Sequence, residues 1–328
     1  MQHVDPPRSS VASEDTRASA GGVDVSLQRK RFLIIHNPIA GRNRLDVVQE
    51  VARYLEQAGA VCDLRVKEDT TPDGAIEAYD AVVASGGDGT VRGVVAMLGG
   101  RNVPIGLIPA GTGNVLAEEL RLPRTAREIA HMLLHGPVVA LSTASINGAP
   151  CLLMVGAGFD GEVVAGLPMA LKRRIGKPAF GWPILTVLAR KPRTFEVEVD
   201  GRPRKASWLV VSNAARYAGR FLLSENTSIL SPGFNVVISR ATSRRQRMLE
   251  LLHLVAGRFE RAKTIEMMPA HTVDIRKAES LAVQVDGEPV AASSYRIVAD
   301  VARTPMIVPH GLARSASSAR AVDRALQE

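Results

Sequence analysis

The sequence predicts an α/β half with a mostly parallel sheet, followed by a β-rich half of antiparallel hairpins. Three observations predict it. Short apolar runs at Phe32–Ile35, Ala81–Ala84 and Ile105–Ile108 and the alternating strand Val61–Val66 are interleaved with stretches of helical period. Three of those runs empty into glycine-containing loops, and parallel sheets gather ligands at the carboxyl ends of their strands. After about Val139 the connections change. Asn147-Gly148, Asp200-Gly201 and Asp286-Gly287 mark turns between or beside strand-like runs, and such dipeptides make two-residue hairpin turns.

Taken in order, residues 1–28 are rich in Ser, Ala, Asp and Pro and lack an apolar core segment, which predicts a disordered leader rather than a signal peptide. Phe32–Ile35 is a strand that empties into His36-Asn37-Pro38-Ile39-Ala40-Gly41. Leu45 to Ala58 places Val47, Val48, Val51, Leu55 and Ala58 on one helical stripe, with Gly59 as the stop. Ala81–Ala84 leads into Ser85-Gly86-Gly87-Asp88-Gly89-Thr90, and Val91 to Leu98 reads as the following helix. Ile105–Ile108 empties into Pro109-Ala110-Gly111-Thr112-Gly113-Asn114, after which Val115–Leu120 and Thr125–Leu134 read as helices. Two helical insertions, Leu167–Leu188 and Arg244–Phe259, interrupt the β-rich half, and Ala313 to Glu328 is a loose tail. The expected division is a leader at 1–28, a nucleotide-binding unit at 29–140, a β-rich lipid-binding unit at 141–310, and a tail at 311–328.

With 328 residues, 46% of them hydrophobic, the chain can build substantial cores. Aromatics are only 4%, too few for a base-stacking surface, so nucleic acid is not an expected partner. A net charge of +8 fits either general solubility or an anionic partner such as nucleotide phosphates or a membrane surface. Cys62 and Cys151 sit in apolar strand-like contexts and read as reduced core residues of a cytoplasmic protein. No window approaches the apolar length of a membrane span. The seven histidines are dispersed, without metal-ligand or triad spacing, and no Walker A sequence or nucleophile elbow appears.

The glycine loops carry the chemistry. Glycines let backbone N–H groups approach an anion closely, and a helix N-terminus favours negative charge. An Asp inside such a loop suits a metal held with the phosphate, or a proton to be removed. The Pro109–Asn114 loop adds a hydroxyl and an amide, groups suited to phosphate or ribose, while Asn114 could equally cap a helix. Asn37-Pro38 reads evenly as a nucleotide contact or a common turn. Gly156 to Gly161, after Leu152–Val155, reads as a bulge or turn. Asp286-Gly287-Glu288 is either a solvated tip or a carboxylate pair that holds a metal or accepts a hydroxyl proton. Lys172, Arg173, Arg174, Lys177, Arg190, Lys191 and Arg193, interleaved with Phe180, Trp182, Ile184 and Leu185, form either a solvated face or a surface drawn to anionic headgroups. Arg244 to Lys263 reads mainly as a solvated basic helix face.

Asn37-Pro38-Ile39-Ala40-Gly41, Gly86-Gly87-Asp88-Gly89-Thr90, Pro109–Asn114 with Ala117, Gly156-Ala157-Gly158-Phe159-Asp160 and Asp286-Gly287-Glu288 occur in one order over residues 30–305. Together they resemble the diacylglycerol kinase/sphingosine kinase catalytic family, the soluble bacterial members above all. The resemblance implies an NAD kinase/diacylglycerol kinase-like α/β domain, a β-rich lipid-binding domain, and an active site in the cleft between them. It implies ATP and Mg²⁺ surrounded by Asn37, Ser85, Gly86, Gly87, Asp88, Gly89, Thr90, Gly111, Thr112, Asn114 and Glu288, with Asp88 and Glu288 toward the metal. It places Asp160 at the lipid headgroup, and leaves the proton acceptor between Asp88 and Asp286, with Asp286 favoured. Two departures stand out. Ser231-Pro232-Gly233-Phe234 occupies a stretch where many members carry an Asp-Gly pair, which bacterial members use in a structural metal site. Tyr217-Ala218-Gly219-Arg220-Phe221 replaces a stretch richer in glycine, near the lipid side.

The expected function is therefore an ATP-dependent lipid kinase acting on a hydroxyl of a diacylglycerol- or sphingoid-like lipid, cytoplasmic and peripherally membrane-associated. The alternatives are an NAD kinase-like phosphotransferase and a nucleotide- or lipid-binding protein without catalysis. A homodimer is left open.

Overall fold

A computed structural model describes residues 28–40, 44–66, 76–111, 113–168, 177–217, 221–223 and 227–313. The leader up to residue 27, Gly41, Thr112, Lys172 to Arg174, Ala218 to Arg220 and the tail after Ala313 lie outside the described residues.

The first four strands are β1 (Arg31–His36), β2 (Val61–Val66), β3 (Ala81–Gly86) and β4 (Ile105–Pro109). They pair in parallel in the order β2-β1-β3-β4. Helices α1 (Leu45–Gln57) and α2 (Asp88–Leu98) provide crossovers, and α3 (Val115–Glu119) and α4 (Ala126–His135) follow β4. The inner strands are apolar on both faces, as a sheet covered on both sides requires. Helix α1 buries Val48, Val51 and Leu55, three members of the expected stripe. Each such side chain, fully removed from water, contributes roughly 1.5–3 kcal/mol. Helix α2 begins three residues earlier than the sequence reading, at Asp88. Gly87 is extended at its N-cap (φ −100°, ψ −170°), so Asp88, Gly89 and Thr90 form the first turn. Gly99, left-handed, ends it as expected.

The remaining strands are β5 (Val138–Ile146), β6 (Ala149–Cys151), β7 (Met154–Gly158), β8 (Phe195–Val199), β9 (Arg202–Ala206), β10 (Trp208–Ser212), β11 (Arg216–Tyr217), β12 (Phe221–Leu222), β13 (Phe234–Ser239), β14 (Ile265–Ala270), β15 (Thr272–Ile275), β16 (Val283–Val285), β17 (Glu288–Val290) and β18 (Tyr295–Ile307). Helix α5 (Phe159–Ala165) follows β7, α6 (Gly181–Leu188) precedes β8, and α7 (Arg244–Val255) lies between β13 and β14. All three expected hairpin dipeptides are turns with both residues left-handed: Asn147 and Gly148 (49° and 82°), Asp200 and Gly201 (45° and 72°), Asp286 and Gly287 (50° and 83°). That is the twist that joins antiparallel neighbours without splaying them.

A six-stranded antiparallel sheet, β14-β13-β10-β7-β16-β17, packs on the antiparallel part of a ten-stranded sheet. The long final strand ties the two halves together. β18 runs antiparallel to β5 and β15 and then parallel to β4, where Met306 pairs with Ile105.

Three local readings change. Gly156 to Gly161 is no turn: it forms the end of β7 and the start of α5, with the left-handed Gly158 (φ 73°) at the junction. Cys151 is buried as expected, but Cys62 is half-exposed because β2 is an edge strand. The Arg244–Phe259 helix ends at Val255; Arg244 and Arg245 are exposed as expected, but Arg247 is buried, and the outer face also carries the exposed Met248, Leu249, Leu252 and Val255.

Candidate active site

The parallel strands bring three carboxyl-end loops together. Asn37 N–H donates to the Ser85 carbonyl (3.0 Å), and Asn37 Nδ2 donates to Thr90 Oγ1 (3.0 Å). Ala110 N–H donates to the Gly86 carbonyl (2.9 Å). The second and third loops then touch backbone to backbone: a Cβ on Gly111 would lie 2.4 Å from Gly87 Cα. No side chain fits at Gly111, which is the physical reason for glycine there, and a Cβ on Gly87 would be tight, at 3.3 Å from Gly111 Cα. Asp88 clamps the pair. Its Oδ2 accepts from Val115 N–H and its Oδ1 from Leu116 N–H, both at 3.0 Å, at the start of α3. A carboxylate on those unsatisfied N–H groups offsets the positive end of the helix. Ser85, expected beside a nucleotide, is instead wholly buried, with Oγ 3.1 Å from His36 Nδ1. It lies inside the sheet because β3 continues through Gly86.

The β-rich half delivers the carboxylate pair to this place. A Cβ on Gly89 would lie 2.5 Å from Glu288 Oε1, so the hairpin tip sits against the first turn of α2. Arg92, on the next turn, fastens it: Nη2 pairs with Glu288, and Nη1 donates to the Val285 carbonyl (2.9 Å). Asp286 turns inward. Its Oδ1 accepts from Leu153 N–H (2.9 Å) and Met154 N–H (3.0 Å), and its Oδ2 accepts from Leu152 N–H alone (3.1 Å). Burial raises its pKa above the ordinary carboxylate value, and the three N–H donors and Arg92 oppose that rise.

Asp160 does not line an open cleft. It is 4% exposed, accepts from Gln284 Nε2 (2.6 Å) and is hydrogen-bonded by the Tyr217 hydroxyl. Burial raises its pKa, against those two donors, and pushes the Tyr217 phenol well up. Gln284 Oε1 in turn accepts from Gly287 N–H (2.7 Å), inside the Asp286 turn. A continuous polar chain thus runs from Tyr217 through Asp160 and Gln284 to the backbone beside Asp286. Gly156 leaves the space for it, since a Cβ there would overlap the Asp160 carboxylate.

Residues 31–146 match the diacylglycerol kinase catalytic domain, and residues 153–312 match the YegS C-terminal NAD kinase beta sandwich-like domain. The chain belongs to the diacylglycerol kinase catalytic family. It is a kinase of a lipid-phosphorylating family. It is 26% identical over 275 residues to a Bacillus subtilis protein named diacylglycerol kinase, covering 79% of this chain and 90% of that one. It is 25% identical over 297 residues to a Pseudomonas putida protein named probable lipid kinase YegS-like, covering 86% and 96%. The crystal structure of a diacylglycerol kinase from Bacillus anthracis shares the fold, with a TM-score of 0.64 at 20% identity, covering 87% of this chain and 99% of that one.

In this kinase a cleft of about 840 Å³ opens beside the third loop, lined among others by Arg44, Gly113, Asn114, Arg121, Arg124 and Arg216. Four arginines against two carboxylates, Glu118 and Glu119, leave the lining cationic, which suits a polyanion such as a triphosphate. Asn114, left-handed at φ 49°, donates from Nδ2 to the Gly111 carbonyl (2.8 Å), while its Oδ1 is buried with no hydrogen-bond partner among the described residues. A buried acceptor without a donor points to a ligand group. No cluster of three His, Cys, Asp or Glu side chains is present among the described residues. A Mg²⁺ brought in with nucleotide phosphates would need only one or two protein oxygens. Glu288, 53% exposed against Gly89, fits that use better than the backbone-clamped Asp88. Ser231-Pro232-Gly233 forms a turn into β13 with Gly233 left-handed and contributes no carboxylate. Sequence reading missed Arg92, Gln284 and Tyr217 as site residues. The available signals were a glutamine inside the apolar alternation Val283-Gln284-Val285 and, for Tyr217, its place in the altered stretch that the resemblance puts near the lipid side.

Proposed function

We propose that the chain transfers the γ-phosphate of ATP to a hydroxyl of a diacylglycerol- or sphingoid-like membrane lipid. One observation carries this reading: the Asp286-Gly287-Glu288 hairpin of the β-rich half is fastened by Arg92 and Gly89 to the glycine loop of the α/β half. A phosphate donor at the loops and an acceptor at the hairpin would then share one place. Residues 29–140 would supply the nucleotide side and 141–310 the lipid side.

Phosphoryl transfer needs positioning, charge neutralisation and one acceptor for the alcohol proton. The N–H groups of Gly87, Asp88 and Gly89 at the start of α2 would face the phosphates, and the arginine-lined cleft would hold their charge. Asp88 would keep the two loops in register through α3. Mg²⁺, when bound with ATP by Glu288 and the Asp88 and Asn114 region, would neutralise charge on the phosphate oxygens. Asp286 would take the hydroxyl proton at Oδ2, the oxygen with one backbone donor rather than two. Its raised pKa favours accepting that proton, and the three N–H groups limit the rise. Asp160 would act through Gln284 on the Asp286 turn, as a positioning residue.

The test is purified chain, labelled ATP and Mg²⁺ with a panel of lipid alcohols in mixed micelles, and NAD in a parallel reaction. Labelled phosphatidic acid or a sphingoid phosphate is the expected product. Labelled NADP, or no labelled lipid, overturns the proposal.

A further inference from the structure

Helix α7 buries a charged pair and exposes apolar side chains. Its inward face carries Arg247 and Glu250, 3% and 0% exposed and paired at 3.0 Å, beside the buried Leu254. Arg247 also donates to Ser207 Oγ (2.8 Å) and lies over the rings of Phe159 and Trp208. Glu250 Oε1 accepts from the hydroxyls of Ser239 (2.7 Å) and Thr264 (2.5 Å). The polar pair is thus fully satisfied below the helix. The outward face carries Met248, Leu249, Leu252 and Val255, exposed by 44, 48, 57 and 68%. At 100° per residue these four share one face with Arg244 and Arg245 of the first turn, both exposed. Beside it, α6 packs against α7 and leaves Trp182 and Leu185 70 and 62% exposed.

An ordinary surface helix hides its leucines and shows its charges. Six large apolar side chains left in water on two touching helices mark a surface that something covers. The charges say what. Arginines in the first turn oppose the helix dipole, so helix stability does not account for Arg244 and Arg245. Neither has an ion-pair partner among the described residues. The outer face of α7 bears no carboxylate, so a second copy of the same face would bring cations to it and no anions. An apolar stripe with arginines on it and a tryptophan alongside fits an anionic bilayer surface, where the apolar side chains enter the acyl boundary and the guanidinium groups meet phosphates.

We propose that α7, with Trp182 and Leu185 of α6, is a docking face that lies in the headgroup layer of an anionic membrane. The proposal rests on the lipid-kinase reading for its purpose, since it places the site at the surface that holds the acceptor. The inner side of α7 leads there directly: Arg247 covers Phe159, the neighbour of Asp160, and Trp208 stacks edge-on with Tyr217.

The experiment is sedimentation of the full chain with vesicles, without ATP. The chain is expected to bind vesicles of equal parts phosphatidylcholine and phosphatidylglycerol, to release with added salt, and to leave pure phosphatidylcholine largely unbound. Leu249→Glu with Leu252→Glu should weaken partitioning by more than about a hundredfold. Arg244→Gln with Arg245→Gln should weaken it roughly thirtyfold. Phosphorylation of a short-chain, water-soluble diacylglycerol should stay unchanged in both variants. No binding to the mixed vesicles, or binding indifferent to both variants, overturns the proposal. So does a wild-type dimer in sedimentation velocity that Leu252→Glu splits while vesicles remain unbound. A chain that binds vesicles through this face but phosphorylates no lipid sustains the docking face and overturns the kinase reading instead.

Discussion

The two sides of the site are made from different material. The proposed nucleotide side is backbone: Gly87 and Gly111 touch Cα to Cα, Gly86 and Ala110 share a hydrogen bond, and Asn37, Thr90 and Asp88 hold loop to loop. The proposed acceptor side is side chains, Tyr217, Asp160, Gln284 and Asp286, each held by a named hydrogen bond. Phosphate oxygens are met best by N–H groups, which demands close backbone approach and therefore glycine. A hydroxyl proton needs a carboxylate that is neither too weak nor too strong a base, which demands burial balanced by hydrogen bonds. In the proposed transfer, the chemistry of each side accounts for its building material.

If the two sides are separate in this way, Asp286→Asn should lower turnover by about 10²–10⁴-fold while leaving ATP affinity nearly unchanged, in steady-state kinetics and nucleotide titration. A parallel loss of ATP binding would break the distinction. Gly111→Ala should do the converse. Its methyl would meet the Gly87 backbone, and overpacking of about 1–3 kcal/mol translates into roughly 5–150-fold weaker ATP binding, with Asp286 still titrating normally.

Gln284→Leu, which unhooks the Gly287 N–H from the polar chain, should lower kcat on the order of tenfold and displace the acid limb of its pH profile, with KM for ATP unchanged. That acid limb has a definite sign. If Asp286 is the base, activity needs it ionised, so kcat should rise with pH through a pKa above the ordinary carboxylate value, and the limb should vanish in Asp286→Asn.

The smallest effect is on stability. The Asp160 pKa is raised in the fold, so its contribution is fully present below the unfolded carboxylate pKa and is lost as pH rises through the folded one. Asp160→Asn should flatten that fall in Tm, measured by calorimetry across the acid range.

Much of this was legible in the sequence, for physical reasons. Apolar runs ending in glycine, and Asn-Gly or Asp-Gly between strands, are local signals, and the parallel sheet and all three hairpins followed from them. The loops at Asn37, Gly86–Thr90 and Gly111–Asn114 converge because strand ends in a parallel sheet must. What stayed hidden depends on partners far apart in the chain. Arg92 meets Glu288 across 196 positions and Asp160 meets Gln284 across 124, and no window reveals either pairing. Helix α7 misled for a related reason. Its arginines suggested a solvated face, but Arg247 is the buried one, drawn inward by Glu250, Phe159 and Trp208.

The most direct measurement is single-turnover transfer of label from [γ-³²P]ATP to diacylglycerol in mixed micelles, comparing wild type with Asp286→Asn at matched ATP occupancy. The two-sided site predicts labelled phosphatidic acid from wild type and transfer slowed by at least about a hundredfold in the variant. Equal rates from the two proteins, or no labelled lipid from wild type, would contradict it.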